Sequence, residues 1–161
     1  MIAHVSALLG DQRVDRWLGG GWAVDFHAGR INREHSDVDF IVALRHRDPL
    51  IAALTEAGFT PVASDAPNTV QRFVCEDMVV EVTFVVRRAN GRIVTPGFEH
   101  WPWFDGALSD QPVEFSGVQV HVVSAAALLD TKLGWVSNVG DEPRQHDLAD
   151  IKILRRSVER L

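Results

Sequence analysis

Two neighbouring stretches decide the fold: Arg16-Trp17-Leu18-Gly19-Gly20-Gly21-Trp22-Ala23-Val24-Asp25-Phe26-His27-Ala28-Gly29, and Ser36-Asp37-Val38-Asp39-Phe40-Ile41-Val42-Ala43-Leu44. The first reads as a brief strand, a glycine turn and a short helix stopping near Gly29. After a polar connection over 30–36, the second reads as a strand rich in β-forming residues. Side chains alternate along a strand, so Asp37 and Asp39 share a face, their Cα atoms roughly 6.5 Å apart. Val38, Phe40, Val42 and Leu44 take the opposite, core-like face, while Ile41 and Ala43 continue the carboxylate face. Two such acids can grip one divalent ion or two neighbouring ones. An Asp-x-Asp at a strand edge is equally familiar as a pair of solvated loop acids, so its surroundings have to decide.

One deciding neighbour is Met78-Val-Val-Glu-Val-Thr-Phe-Val-Val86, a β-forming run broken by a single charge, Glu81. Glu81 shares a face with Val79, Thr83 and Val85, and a buried carboxylate is costly unless a cation or hydrogen bonds compensate it. If this strand lies beside residues 37–44, Glu81 completes a three-carboxylate cluster; on an edge strand it faces water or an arginine. The other neighbour is Gly19-Gly20-Gly21. Glycines let backbone amides and a helix N-terminus approach phosphate oxygens closely, although the run also suits a simple tight turn. It matches neither the Walker A pattern nor the dinucleotide fingerprint. Acids with a bound Mg²⁺ and an anion-holding loop are what phosphoryl and nucleotidyl transfer ask of a protein.

Further along, a helix is expected from Pro49 to Ala57, with Asp48 as N-cap and Gly58 beyond its end. Strands are expected at 70–76 and 78–87, turning at Glu76-Asp77, and at 118–123. Residues 89–117 read as irregular, with a short strand at Arg92–Thr95. Helices follow near 124–137 and 144–160, and an amphipathic helix carrying Ile2, Val5, Leu8 and Leu9 opens the chain. The order implies an α+β fold rather than the β-α alternation of a doubly wound sheet. It is read as a single domain over 1–161, with a core over 1–123 and a helical C-terminal segment over 124–161.

The 161 residues are 46% hydrophobic, enough for a sizeable core. No apolar run approaches the roughly 20 residues of a membrane span, and a cytoplasmic protein with no membrane partner is expected. Cys75 is the sole cysteine, which excludes an internal disulfide and favours a small buried hydrophobe. A net charge of −6 argues against non-specific nucleic-acid binding and suits a cationic small molecule.

Gly19-Gly20-Gly21-Trp22-Ala23-Val24-Asp25, Gly29-Arg30, Arg33-Glu34-His35 and Ser36-Asp37-Val38-Asp39 together resemble the signature of the antibiotic nucleotidyltransferases. The likeness is to the aminoglycoside 2''-nucleotidyltransferase and lincosamide nucleotidyltransferase group of the DNA polymerase beta-like superfamily. It is sharp over 17–44, fair over 78–84 and diffuse beyond. The resemblance implies a mixed sheet flanked by helices. It further implies that Asp37 and Asp39 hold Mg²⁺, that the glycine turn contacts the triphosphate, and that Glu81 is a metal ligand, the general base, or both. Related enzymes set a lysine of a C-terminal helix against the triphosphate, a role that would fall to Lys132, whose alternative is ordinary surface exposure. The implied reaction moves AMP from ATP, or NMP from another NTP, to a hydroxyl of an aminoglycoside or lincosamide; a homodimer is compatible with it. Transfer to a protein or tRNA, and a non-catalytic nucleotide-sensing module, are the alternatives.

Arg33 and His35 precede the acid pair and can steady phosphates or carboxylates, or, for His35, make a structural hydrogen bond. Asp25 is expected to orient the loop. In Phe98-Glu-His-Trp-Pro-Trp-Phe-Asp105, Trp101, Trp103 and Phe104 either wall an acceptor site, with Glu99 and Asp105 attracting ammonium groups, or staple the loop to the core. In the last helix Leu148, Ile151 and Leu154 are expected inward. His146, Asp147 and Asp150 are read as capping and surface pairing rather than a metal site.

Overall fold

The computed structural model describes residue 7, residues 14–142 and residues 144–159. Apart from Ala7, the opening helix expected over residues 2–9 lies outside the described residues. Strand β1 (Arg16–Leu18), helix α1 (Gly20–Ala28) and strand β2 (Val38–Ala43) follow the expected order. A single 3₁₀ turn, Leu44–His46, leads into α2 (Arg47–Glu56). Strands β3 (Thr60–Pro61), β4 (Val70–Cys75), β5 (Met78–Arg87), β6 (Ile93–Val94), β7 (Leu108–Phe115) and β8 (Val118–Val123) come next, and helices α3 (Ala125–Val139) and α4 (Gln145–Val158) end the described chain.

The strands form a mixed sheet in the order β3-β4-β5-β2-β1-β8-β7, with β6 added to β5. The pairs β2–β5 and β1–β8 are parallel, and the other pairs antiparallel. The alternation read from sequence explains why β2 and β5 lie centrally: Val38, Phe40 and Val42, with Val80, Val82 and Phe84, are fully or almost fully buried. Each such side chain contributes about 1.5–3 kcal/mol relative to exposure. Ile41, on the carboxylate face, is buried as well, leaving Asp39 at the start and Ala43 at the end of β2 half-buried on that side.

Helix α1 packs against β2 and against both C-terminal helices. His27 Nε2 donates to the Val123 carbonyl at 2.8 Å, tying the end of α1 to the end of β8. Ser124 caps α3, its hydroxyl accepting from the Ala127 amide at 3.3 Å.

Three local expectations need correction. Helix α2 begins at Arg47 with His46 at the N-cap, so Asp48 lies in the first turn instead of capping it. Residues 108–115, read as irregular, form β7; its polar Ser109-Asp110-Gln111-Pro112 run and the register shift between Leu108 and Pro112 hide the strand. An edge position tolerates that proline, which has no amide to donate. Thr60–Pro61 is likewise a two-residue edge strand. In α4 Ile151 and Leu154 are buried as expected, but Leu148 is 52% exposed and Asp150 joins them on the inward face.

Candidate active site

Asp37 sits immediately ahead of β2, and Asp39 is its second residue. The parallel register of β2 with β5 pairs Asp39 with Glu81, so the three acids fall at one place on the sheet. Asp39 holds its proton up to about 7. Burial is the main cause, the charges of Asp37 and Glu81 add to it, and Lys132 and Arg144 oppose it. Glu81 is held from the neighbouring strand: Arg72, its register partner on β4, donates to Oε2 from Nη2 at 2.7 Å and from Nε at 3.2 Å. Glu81 thus stands in register with Asp39 and pairs with an arginine, although β5 is a central strand and not the edge strand on which that pairing is expected.

The glycine turn is built against this cluster. The Gly19 amide donates to the Asp39 carbonyl at 2.8 Å, fastening the turn to β2. Gly20 has φ +57°, and a β-carbon there would overlap the Asp39 carboxylate. A β-carbon on Gly21 would collide with the Arg33 guanidinium and the His35 ring. Only Gly19 has ordinary room for a side chain, 3.6 Å from Ile41 Cδ1. The close approach that glycine permits is thus used at Gly20 and Gly21, bringing the start of α1 directly onto Asp39, Arg33 and His35.

Asp25 and His35 brace that turn from beneath. The Asp25 carboxylate, 1% exposed, accepts from His35 Nε2 at 2.6 Å, and from the Asn32 backbone amide at 3.0 Å and side-chain amide at 2.8 Å. The His35 ring rests on Trp22 with centroids 4.5 Å apart. The structural reading of both residues is the one realised.

Across from the acids, α3 and α4 supply a charged network. Lys132 Nζ lies 2.7 Å from Asp147 Oδ1 and 2.9 Å from Asp150 Oδ2, and Arg33 Nη2 lies 3.6 Å from the same Asp150 oxygen. Lys132 is therefore part of a half-buried ion-pair network rather than a free surface side chain. Arg144 completes a reciprocal cap with Asp147: its backbone amide and Nε each reach Asp147 Oδ2 at 3.1 Å. Burial alone would raise Asp147, yet its bonds with Lys132 and Arg144 hold it down at about 2. Asp150, expected at the surface, is 2% exposed.

Oxygen donors of this kind suit a hard divalent cation, and the protonation of Asp39 near neutrality marks a place short of positive charge. Among the described residues no three metal-binding side chains converge as a closed cluster. Mg²⁺ is commonly bound through one or two carboxylates, with waters and substrate phosphates completing its shell. Asp37 and Asp39 are the residues able to hold it.

Two residues escape the sequence reading. Arg72 is recoverable: a two-residue turn at Glu76-Asp77 pairs Cys75 with Met78, and counting back along both strands pairs Arg72 with Glu81. Asp150 lies three and four residues from Asp147 and Leu154, on the stripe packed against α1 and α3, but its acid side chain gives no sign of burial in the sequence. In the aromatic loop, Trp101 Nε1 donates to Asp130 at 3.1 Å and its ring fills the notch at Gly134 of α3; Trp103 Nε1 donates to Thr95 at 3.2 Å. Those tryptophans staple the loop. Glu99 pairs with Arg88 at 3.1 Å, and Phe104 remains 42% exposed. Cys75 is half-buried against the core.

The sequence model of the aminoglycoside-2''-adenylyltransferases matches residues 1–154. The chain belongs to this family. A 2''-aminoglycoside nucleotidyltransferase of Klebsiella pneumoniae is 33% identical over 58 residues, which are 36% of this chain and 33% of that relative, so the chain aligns with about a third of its length. Two solved structures share the adenylyltransferase fold over nearly the whole chain. A lincosamide antibiotic adenylyltransferase, LnuA, with lincomycin bound has a TM-score of 0.78 at 21% identity, covering 96% of this chain and 94% of that one. ANT(2'')-Ia in complex with adenylyl-2''-tobramycin also has a TM-score of 0.78, at 19% identity, covering 98% of this chain and 87% of that one.

Proposed function

We propose that the protein is an Mg²⁺-dependent nucleotidyltransferase that moves AMP from ATP to a hydroxyl of an aminoglycoside or lincosamide antibiotic. The observation that carries this reading is the junction of glycine turn and acid cluster: Gly20 lies directly on the Asp39 carboxylate, and Asp39 stands in register with Glu81. Membership of the adenylyltransferase family supports it, and so does the antibiotic content of the two similar structures.

In this reading the free amides at the start of α1 receive the triphosphate, aided by the positive end of the helix. Arg33, pressed against Gly21, and Lys132 supply fixed positive charge. Asp37 and Asp39 hold the metal. Bound Mg²⁺ would neutralise the phosphates and orient an in-line displacement. The acceptor hydroxyl oxygen bonds to the α-phosphorus, the bond from that phosphorus to the bridging oxygen breaks, and pyrophosphate leaves. Glu81 either takes the hydroxyl proton or joins the metal shell; Arg72 occupies Oε2, and Oε1 has no hydrogen bond among the described residues. The net charge of −6 favours the cationic aminoglycoside over the lincosamide.

Incubation with ATP, Mg²⁺ and either tobramycin or lincomycin, read by mass spectrometry, tests the proposal. An AMP mass increment on one of them is expected. No increment on any member of a broad aminoglycoside and lincosamide panel would remove the antibiotic assignment.

A further inference from the structure

Arg33 and Lys132 come from distant parts of the chain, one from the loop before β2 and one from α3, yet both reach the carboxylate of Asp150 on α4. That carboxylate is 3% exposed, and the Lys132 side chain 13%. Two cations brought this close repel each other, and both are long side chains with considerable rotamer entropy. A buried carboxylate between them offsets the repulsion and draws both to one place by charge, since Asp150 Oδ2 lies at ion-pair distance from each while accepting a hydrogen bond from neither. The same Arg33 Nη2 that faces Asp150 also lies against Gly21, and the charge of Lys132 is felt by Asp39. Arg33 Nε is buried and has no hydrogen-bond partner among the described residues, so part of its donor capacity is unspent within the protein. Asp147 also holds Lys132, but it is engaged by Arg144 in capping α4 and does not reach Arg33.

We infer that Asp150 is a positioning residue for nucleotide binding, its buried carboxylate holding Arg33 beside the glycine turn and Lys132 close to Arg33 so that both meet the triphosphate. Asp150 itself touches no substrate. The inference rests on the nucleotidyltransferase reading above and adds to it a residue that acts through the two cations. Pre-orientation of this kind raises affinity by removing an ordering cost at the moment of binding.

Titration calorimetry of the full chain with ATP and Mg²⁺, without acceptor, reads the effect directly. Asp150→Asn is expected to weaken ATP binding at least tenfold, and Asp150→Glu, which keeps the charge but moves it, two- to fivefold. In a Lys132→Met background the same Asp150→Asn change should cost less than threefold, because the nearer of its two targets, Lys132 at 2.9 Å, is already gone and only Arg33 at 3.6 Å remains. Melting temperatures monitor the fold, and Asp150→Glu carries the test if the asparagine variant does not fold. ATP affinity within 1.5-fold of wild type in the folded variants would overturn the inference while leaving the enzyme reading intact. A full, additive loss in the Lys132→Met background would overturn it too. Wild-type protein that neither binds ATP nor turns it over would remove both readings together.

Discussion

On the sheet side of the site, Asp37, Asp39 and Glu81 gather with Arg72 as the one cation bonded to any of them among the described residues, and Asp39 is protonated up to about 7. On the helix side, Asp147 and Asp150 are met by Lys132, Arg33 and Arg144, and Asp147 is held down at about 2. The two clusters are built from the same residue types, and they differ in whether the protein itself supplies the opposite charge. The sheet side is left short of a cation, as a metal-binding surface must be before its ion arrives. The helix side spends its cations internally, which costs net charge but fixes positions.

The largest consequence belongs to the uncompensated side. Asp39→Asn should lower kcat by roughly 10²–10³-fold or more, the scale set by removing a group that stabilises charge in the transition state. Steady-state AMP transfer measures it, and a variant keeping a tenth of wild-type turnover would break the contrast. The same residue gives a pH signature in metal-free protein. Its folded pKa, about 7, lies above the ordinary 3.8, so the folded state binds the proton more tightly than the unfolded state does. Stability from this group is then full at low pH and falls as pH rises from about 4 to about 7, by at most roughly 4 kcal/mol. Mg²⁺ should accordingly raise the melting temperature more at pH 8 than at pH 5; an equal rise at both would place the ion elsewhere.

On the compensated side the cost is structural. Lys132→Met removes the nearest cation from Asp150 and should destabilise the fold by about 3 kcal/mol, since a buried carboxylate is left with only Arg33 at 3.6 Å. Urea denaturation checks this. A loss below 1 kcal/mol would mean that water, rather than lysine, solvates Asp150 in solution.

Much of the sheet side is legible in the amino-acid sequence, and little of the helix side is. Strand alternation sets the shared face of Asp37 and Asp39, and one charge in an apolar run singles out Glu81, because both signals are local. Arg72 needs one further step, counting register across a two-residue turn. Asp150 is harder: its stripe carries acids at two positions, so hydrophobic periodicity finds Ile151 and Leu154 but adds Leu148, which is exposed, and passes over Asp150. A charged residue facing inward is recognisable only once its partners are known, and those partners, Arg33 and Lys132, come from remote segments. Strand β7 is hidden for another reason, as its polar residues and proline are compatible with an edge strand but do not announce one.

The glycine turn offers a sharper internal control. Gly20→Ala meets both a positive φ and the Asp39 carboxylate, and should cost about 1–3 kcal/mol as well as displacing that carboxylate from its place. Gly19→Ala has φ −114° and ordinary van der Waals room, and should change stability by less than about 1 kcal/mol. Thermal melting and ATP turnover of the two variants side by side would reveal whether the turn is shaped by its contact with Asp39 or by backbone flexibility alone.

The smallest effect expected is at Arg72. Its ion pair with Glu81 has the geometry of a strong bond, yet the arginine side chain is 54% exposed and that of Glu81 29%. Exposed pairs contribute roughly 0.2–1 kcal/mol, much of it screened by salt. Arg72→Gln should therefore lower stability by under about 1 kcal/mol at low ionic strength, with the difference shrinking in high salt. Set beside Lys132→Met, this separates a cation that merely accompanies a carboxylate from one on which a buried carboxylate depends. A loss at Arg72 matching that at Lys132, and persisting in high salt, would show that the sheet side is also compensated from within, and that the contrast between the two halves of the site is smaller than their geometry implies.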